Sequence, residues 1–261
     1  MSSPLLEICI DSFDSAVAAI RGGADRLELC AALSEGGLTP SVGLLREIRR
    51  FTLENVAQQR EVKLYAMVRC RRGSDFCYSE PELRIMLHDL ELLAQNGADG
   101  FVFGALDEAG NVHREHCGLV VAEASKHKKP VTFHRAFDCT DRSKMLENLE
   151  LVESLGFSTL LSSGLEGTAM EGIRNLAEMV KFVSESESMQ LTVMPGSGVS
   201  PRNVQEIVQK TGCRAVHASA RSLRKGPKGG SISMGGNAAD GEGVLVCDEA
   251  IVREIKNLLI S

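Results

Sequence analysis

Two short apolar runs each carry a carboxylate and a thiol two residues apart, Glu7-Ile8-Cys9 and Glu28-Leu29-Cys30. Alternate residues of a strand share a face, so each run offers its Glu and Cys to one side. Thiolate is a preferred donor for Cu(I), and on neighbouring strands at equal height Cys9 and Cys30 make a candidate metal-ligand pair. Taken singly, each is more often a small core residue. His134 and His217 add imidazoles able to hold or move a proton near neutral pH. With Arg69 as an anion holder, Glu7, Glu28, Arg69, His134 and His217 form the candidate catalytic or pocket set. The plainer reading of these charges is an ion network that fills an interior, with Glu7 and Glu28 pairing with Arg69 at one level, since burying them unpaired is costly.

An anion site is suggested by Met194-Pro195-Gly196-Ser197-Gly198-Val199-Ser200-Pro201, where Gly196, Ser197 and Gly198 would let backbone N–H groups converge before a helix opening near Ser200. The same residues also suit an ordinary strand-to-helix turn capped by Ser200. Arg71, in the arginine-rich run from Arg69 to Phe76, would add a cation to the same rim.

The elements that must position these groups are marked by four glycines. Gly23-Ala24-Asp25-Arg26-Leu27, Gly97-Ala98-Asp99-Gly100-Phe101, Gly156-Phe157-Ser158-Thr159-Leu160 and Gly212-Cys213-Arg214-Ala215-Val216 each end a helical pattern and open a short apolar run. Glycine takes the left-handed conformation at a helix C-terminus without a Cβ penalty. Successive junctions lie two strand-helix units apart, at ~30 residues per unit. The missing strands fall at 5–10, 62–69, 130–135 and 190–194, and helical patterns cover 13–21, 42–56, 81–96, 114–128, 143–154, 169–184, 201–210 and 248–260. Eight alternating units predict an α/β fold, a single-domain (β/α)8 TIM-like barrel, with a doubly wound open sheet as the alternative. A Gly-rich loop at 225–243 precedes the last helix. Alternation turns Glu7, Cys9, Asp11, Arg26, Glu28, Cys30, Tyr65, Met67, Arg69, Thr132, His134, His217 and Ser219 inward. In such barrels the site lies at the C-terminal strand ends.

Composition narrows the partners. The net charge is -6 with no long basic run, which argues against nucleic acid or a polybasic membrane anchor, and no segment is apolar for the ~18 residues a span needs. Glu7 and Asp11 interrupt the start as a signal peptide, and eight cysteines without a CxxC pair fit free thiols in a reducing compartment, so a cytoplasmic location is expected.

The segments Glu7 to Ser12, Gly22 to Cys30, Leu33 to Ser41, Phe103 to Leu106, Thr132 to Asp138, Val193 to Gly196 and His217 to Arg221 resemble the CutC copper homeostasis family. The resemblance implies a TIM-like barrel, a cytoplasmic and in part nuclear location, self-association as a dimer or tetramer, and copper handling with Cys9 and Cys30 as Cu(I) ligands. The loop from Arg69 to Phe76 departs from the family's Arg-Pro-Arg-Gly-Gly-Asp-Phe by one extra residue and by Cys70 in place of proline. Two functions are therefore expected to compete: a Cu(I)-binding protein, or a lyase, isomerase or hydrolase acting on a small anionic or phosphorylated metabolite.

Overall fold

The computed structural model describes residues 3–54, 61–224 and 243–260. Most of the Gly-rich 225–243 stretch, and the last two residues expected of the second helix, lie outside the described residues. Eight parallel strands run in chain order: β1 (Leu5–Ile10), β2 (Arg26–Leu29), β3 (Lys63–Met67), β4 (Gly100–Phe103), β5 (Val131–Phe133), β6 (Thr159–Ser162), β7 (Thr192–Pro195) and β8 (Ala215–Ala218). Between and after them come α1 (Phe13–Gly22), α2 (Val42–Glu54), α3 (Glu80–Gln95), α4 (Arg114–Lys126), α5 (Met145–Ser154), α6 (Ile173–Glu185), α7 (Val204–Thr211) and α8 (Glu249–Ile260). The spatial order β7-β6-β5-β4-β3-β2-β1-β8, with β7 lying against β8, is a nearly closed barrel and excludes the doubly wound sheet. An antiparallel hairpin, β9 (Arg221–Arg224) and β10 (Val244–Cys247), lies over α1 before the last helix.

All four junction glycines have positive φ, from 69° at Gly212 to 101° at Gly97. The aspartate that follows two of them has a job the sequence pattern did not reveal. Asp25 accepts the Leu6 N–H of β1 and pairs with Lys256 of α8 at 2.7 Å, and Asp99 accepts the Leu64 N–H of β3 and pairs with Arg49 of α2 at 2.5 Å. Each Gly-Ala-Asp thus stops a helix, starts a strand and ties the foot of the preceding strand to an outer helix. Two helices, α6 and α7, begin three or four residues later than their patterns predict. Before α6, Gly172 packs so closely on the Ser163 carbonyl that an added Cβ would lie 1.9 Å from it, so the chain folds back on β6 first. Before α7, the Asn203 side chain accepts the Ser200 N–H and bends residues 200–203 into a turn.

The outward faces, among them Leu6, Ile8, Ile10, Leu27, Leu29, Leu64, Phe101 and Phe133, are fully buried against the helices and form the main core. Inside the barrel the apolar material splits into two small groups, Cys30 with Tyr65, Met67 and Val102, and Leu161 with Met194 and Ala215. Between them sits a charged pair. Arg26 Nε donates to Glu7 Oε2 at 2.5 Å, its guanidinium lies 4.3 Å from the Tyr65 ring centre, and Nη2 reaches Met194 Sδ at 3.4 Å. Gly100 leaves room for the Tyr65 ring, which an added Cβ would meet at 2.6 Å.

This interior corrects one expectation: Glu7 pairs with Arg26, not with Arg69. Glu7 is fully buried, and although burial alone would raise its carboxyl, the Arg26 charge and the His217 hydrogen bond bring it down to about 2. Glu7→Gln keeps the shape but strands the guanidinium, and is expected to lower unfolding stability by about 3 to 5 kcal/mol in urea titrations, the range for breaking a buried pair. The exposed Glu187→Gln should leave the unfolding midpoint unchanged. Equal midpoints for the two variants would disprove the dependence of Arg26 on Glu7.

Candidate functional site

The register of β8, β1 and β2 builds the floor of the site. Glu7 stands beside His217 on one side and Arg26 on the other, and Cys9 stands beside Glu28. His217 Nδ1 lies 2.7 Å from Glu7 Oε1, and its Nε2 lies 3.9 Å from Glu28 Oε2. One sulfur of Cys9, one carboxylate oxygen of Glu28 and one ring nitrogen of His217 all fall within 4.8 Å of one another, and all three residues are buried. A glutamate on one imidazole nitrogen fixes the ring so that the other can face a metal, the arrangement that orients histidine ligands generally.

Electrostatics sharpen the picture. Burial raises the Glu28 carboxyl to about 6, tempered by the His217 charge. Burial works against a charged His217, yet the Glu28 carboxylate beside it carries its pKa well above the ordinary value. Glu28 Oε1 has no hydrogen-bond partner among the described residues.

The expected equality of height between Cys9 and Cys30 is not met. Because Cys9 pairs with Glu28, Cys30 stands two residues further along β2's path. Its thiol donates to Glu28 Oε2 at 3.6 Å and packs against Gly37, where an added Cβ would lie 3.0 Å from the sulfur. Burial and then the Glu28 charge push the Cys30 thiol well above its ordinary range, so it stays protonated in the metal-free protein. The Glu-x-Cys repeat read from the sequence is real in each strand, but the barrel's stagger slides one copy against the other.

Above the floor opens a cavity of about 1030 Å³, lined by Cys9, Glu28, Arg69, His134 and His217 together with Arg72, Arg135, Asp138, Ser197, Gly198 and Arg221. Arg69 lies on neither glutamate. Its Nη1 donates to the Glu35 and Gly37 carbonyls, its Nη2 to the Gly73 carbonyl, and its guanidinium sits 5.2 Å from the Phe76 ring centre. Arg71 falls outside the cavity: it is committed to Glu82 at 2.6 Å, Asp75 at 2.9 Å and the Cys77 carbonyl at 2.7 Å, joining its loop to α3. Ser197 and Gly198 line the cavity, whereas Gly196 does not; its N–H donates to the Ser162 carbonyl, and a Cβ there would meet Leu161 at 2.5 Å. With α7 opening only at Val204, the loop does not lead straight into a helix N-terminus.

Three contributors were missed. Arg26 was read as inward without a partner. Arg221, first residue of β9, lines the cavity, although the sequence showed it only as the end of the segment that follows His217. Asp138 organises one wall: it accepts from Ser162 Oγ at 2.6 Å, the Ser163 N–H at 3.0 Å, Leu165 N at 3.2 Å and Arg135 Nε at 2.8 Å. The Ser162-Ser163 pair at the C-terminal end of β6, where such barrels place their sites, was the available clue.

His134 is 5% exposed, and its Nδ1 accepts the Ala136 N–H at 3.2 Å, which leaves the proton on Nε2. Burial, then the Arg69 charge, lowers its pKa to about 3. The unfolded chain takes up a proton below pH 6.5 that the folded ring refuses, so this contribution to stability is complete above that pH and is lost as pH falls toward 3. Between pH 7 and 4.5 the wild type should lose about 2 kcal/mol more stability than His134→Asn, whose amide oxygen can still accept from Ala136. Parallel pH dependences of the two urea midpoints would show that His134 is not held neutral.

Comparison with known proteins agrees with this fold and gives the family. The CutC family model matches residues 4–222. The human copper homeostasis protein cutC homolog is 40% identical over 264 aligned positions, covering 98% of this chain and 90% of its own, and the Drosophila melanogaster homolog is 44% identical over 215, covering 82% and 76%. The crystal structure of the copper homeostasis protein CutC from Streptococcus agalactiae superposes with a TM-score of 0.74 at 27% identity, covering 83% of this chain and 98% of that one. The chain therefore belongs to the CutC copper homeostasis family.

Proposed function

We propose that this protein serves copper homeostasis by holding a single Cu(I) ion at the barrel mouth, with Cys9 and His217 as the principal donors and Glu28 beside them. The observation that carries the reading is the buried Cys9, Glu28 and His217 group, whose donor atoms lie within 4.8 Å of one another. A sulfur and an imidazole nitrogen suit the soft monovalent ion, whereas the carboxylate is a harder donor whose role is to balance charge. Copper is the cargo in this reading, and no catalytic step is required of it. Cys30 enters through Glu28, to which its thiol donates, and an incoming ion would have to draw that thiol in by loss of its proton. The eight free cysteines support a reducing, cytoplasmic compartment, extending to the nucleus in the family pattern, and none of the described helices is long and apolar enough to cross a membrane. Self-association as a dimer or tetramer belongs to the same reading, and sedimentation would measure it.

Anaerobic competition with a chromophoric Cu(I) chelator tests the site. Wild type is expected to bind one equivalent. Cys9→Ser should weaken binding by about 100-fold or more, at or beyond the upper end of what loss of a ligand's supporting partner costs, and Cys30→Ser by less than about tenfold. The reverse order would return the ion to a pair centred on Cys30, and unchanged binding in both variants would remove copper from this cavity.

A further inference from the structure

Copper chemistry accounts for the floor of the cavity and leaves its β3–β5 wall unexplained. Two buried donors there have no acceptor among the described residues: Arg69 Nε and His134 Nε2. Both side chains line the cavity, and both lean on one ring, the Arg69 guanidinium 5.2 Å and the His134 imidazole 5.0 Å from the centre of Phe76. Phe76 itself sits at φ 51°, a conformation that costs a bulky side chain energy and that holds the ring between the two. Across the mouth, Arg221 Nε is a third buried donor without a partner.

The charges of the other rim arginines are already answered. Arg72 pairs with Glu35 at 3.1 Å and Arg135 with Asp138 at 2.8 Å. Among the described residues no carboxylate pairs with Arg69, whose hydrogen bonds go to three carbonyls beside the Tyr78 hydroxyl, nor with Arg221. His134 cannot supply the missing acceptor, because its one lone-pair nitrogen is taken by the Ala136 N–H. A buried cation whose charge meets no carboxylate and whose Nε lacks an acceptor, beside a neutral N–H donor that also lacks one, is a donor set that recognises an oxyanion, since hydrogen bonds to a charged acceptor offset the burial of both groups.

We infer that the β3–β5 wall of the cavity is a binding site for the oxyanion head, carboxylate or phosphate, of a small organic metabolite, held by Arg69 and His134 with Arg221 facing its far end. The cavity volume of about 1030 Å³ is ample for such a molecule. The site uses none of the three residues assigned to copper, so it stands or falls separately from that reading. It also differs from the Gly-rich loop and Arg71 on which the sequence pattern placed an anion.

The test uses metal-free full-length protein in chelator-containing buffer, titrated with inorganic phosphate, glycerol 3-phosphate, succinate and, as a control for ionic strength, sodium chloride. Binding is read by calorimetry and by the ¹⁵N resonances of the histidine rings. At least one oxyanion should bind saturably and shift the His134 Nε2 signal while leaving that of His88, on α3, unmoved. His134→Asn, which keeps the Ala136 hydrogen bond but removes the Nε2–H, should weaken that binding about tenfold or more. Arg253→Gln on α8 should not change it. Arg69→Lys is a second variant, retained because the Arg69 carbonyl contacts also brace two loops; it should weaken binding even where its fold is intact by circular dichroism. A response to phosphates alone or to carboxylates alone assigns the head group and supports the site. No saturable binding of any probe, or equal affinities in wild type and His134→Asn, overturns it.

Discussion

The interior depends on one constraint: a carboxylate with no exposed surface must be compensated where it lies. Glu7 is that carboxylate, and Arg26 and His217 answer it from the strands on either side. Removing charges from water costs several kcal/mol per ion, and only good geometry with further hydrogen bonds returns it. The geometry here is set by register. Because β1 pairs with both β2 and β8, Glu7 meets Arg26 on one flank and His217 on the other, and everything above is stacked on that level. The His217 ring, held through Nδ1, turns Nε2 toward Cys9 and Glu28; the Arg26 guanidinium, held through Nε, lies flat on Tyr65, whose ring in turn requires a glycine on β4.

The same logic separates the cavity into regions of different character. The floor carries more acceptors than neutral donors, with Glu28 Oε1 unanswered, and suits a cation or a proton. The β3–β5 wall carries donors and suits an anion.

Most of the fold was legible because its signals are local. A glycine that ends a helix and an apolar run that follows it need no knowledge of the rest of the chain, and strand alternation assigns faces one strand at a time. Thus Glu7, Glu28, Cys9 and His217 were placed on inward faces without any contact information. What was not legible is the height of one strand against the next. Barrel closure imposes a stagger that no single strand encodes, and so Cys9 was set level with Cys30 when Glu28 is its neighbour, and Glu7 was given to Arg69 when Arg26 is closer. Arg71 and Arg69 illustrate the same limit in a loop. Both are arginines of one short run, yet one is neutralised by Asp75 and Glu82 and the other meets carbonyls and aromatic side chains with no carboxylate, a difference set in part by where α3 docks.

Closure of the ring also orders events in time. Glu7 and Arg26 are near in the chain and can meet as soon as the first two strands associate, but His217 pairs with Glu7 across a separation of 210 residues. Contacts of such long range form late, since the intervening chain must first be organised. During synthesis the first strands would therefore carry Cys9, Glu28 and a half-compensated Glu7 without their third neighbour until β8 had left the ribosome. Lys256 of α8 then reaches Asp25, at the foot of β2, and joins the last helix to the first turn of the barrel. A nascent chain stopped between β2 and β8 would hold two of the three clustered donors and none of the geometry that brings them together, so the proposed copper site would be complete only when the fold is.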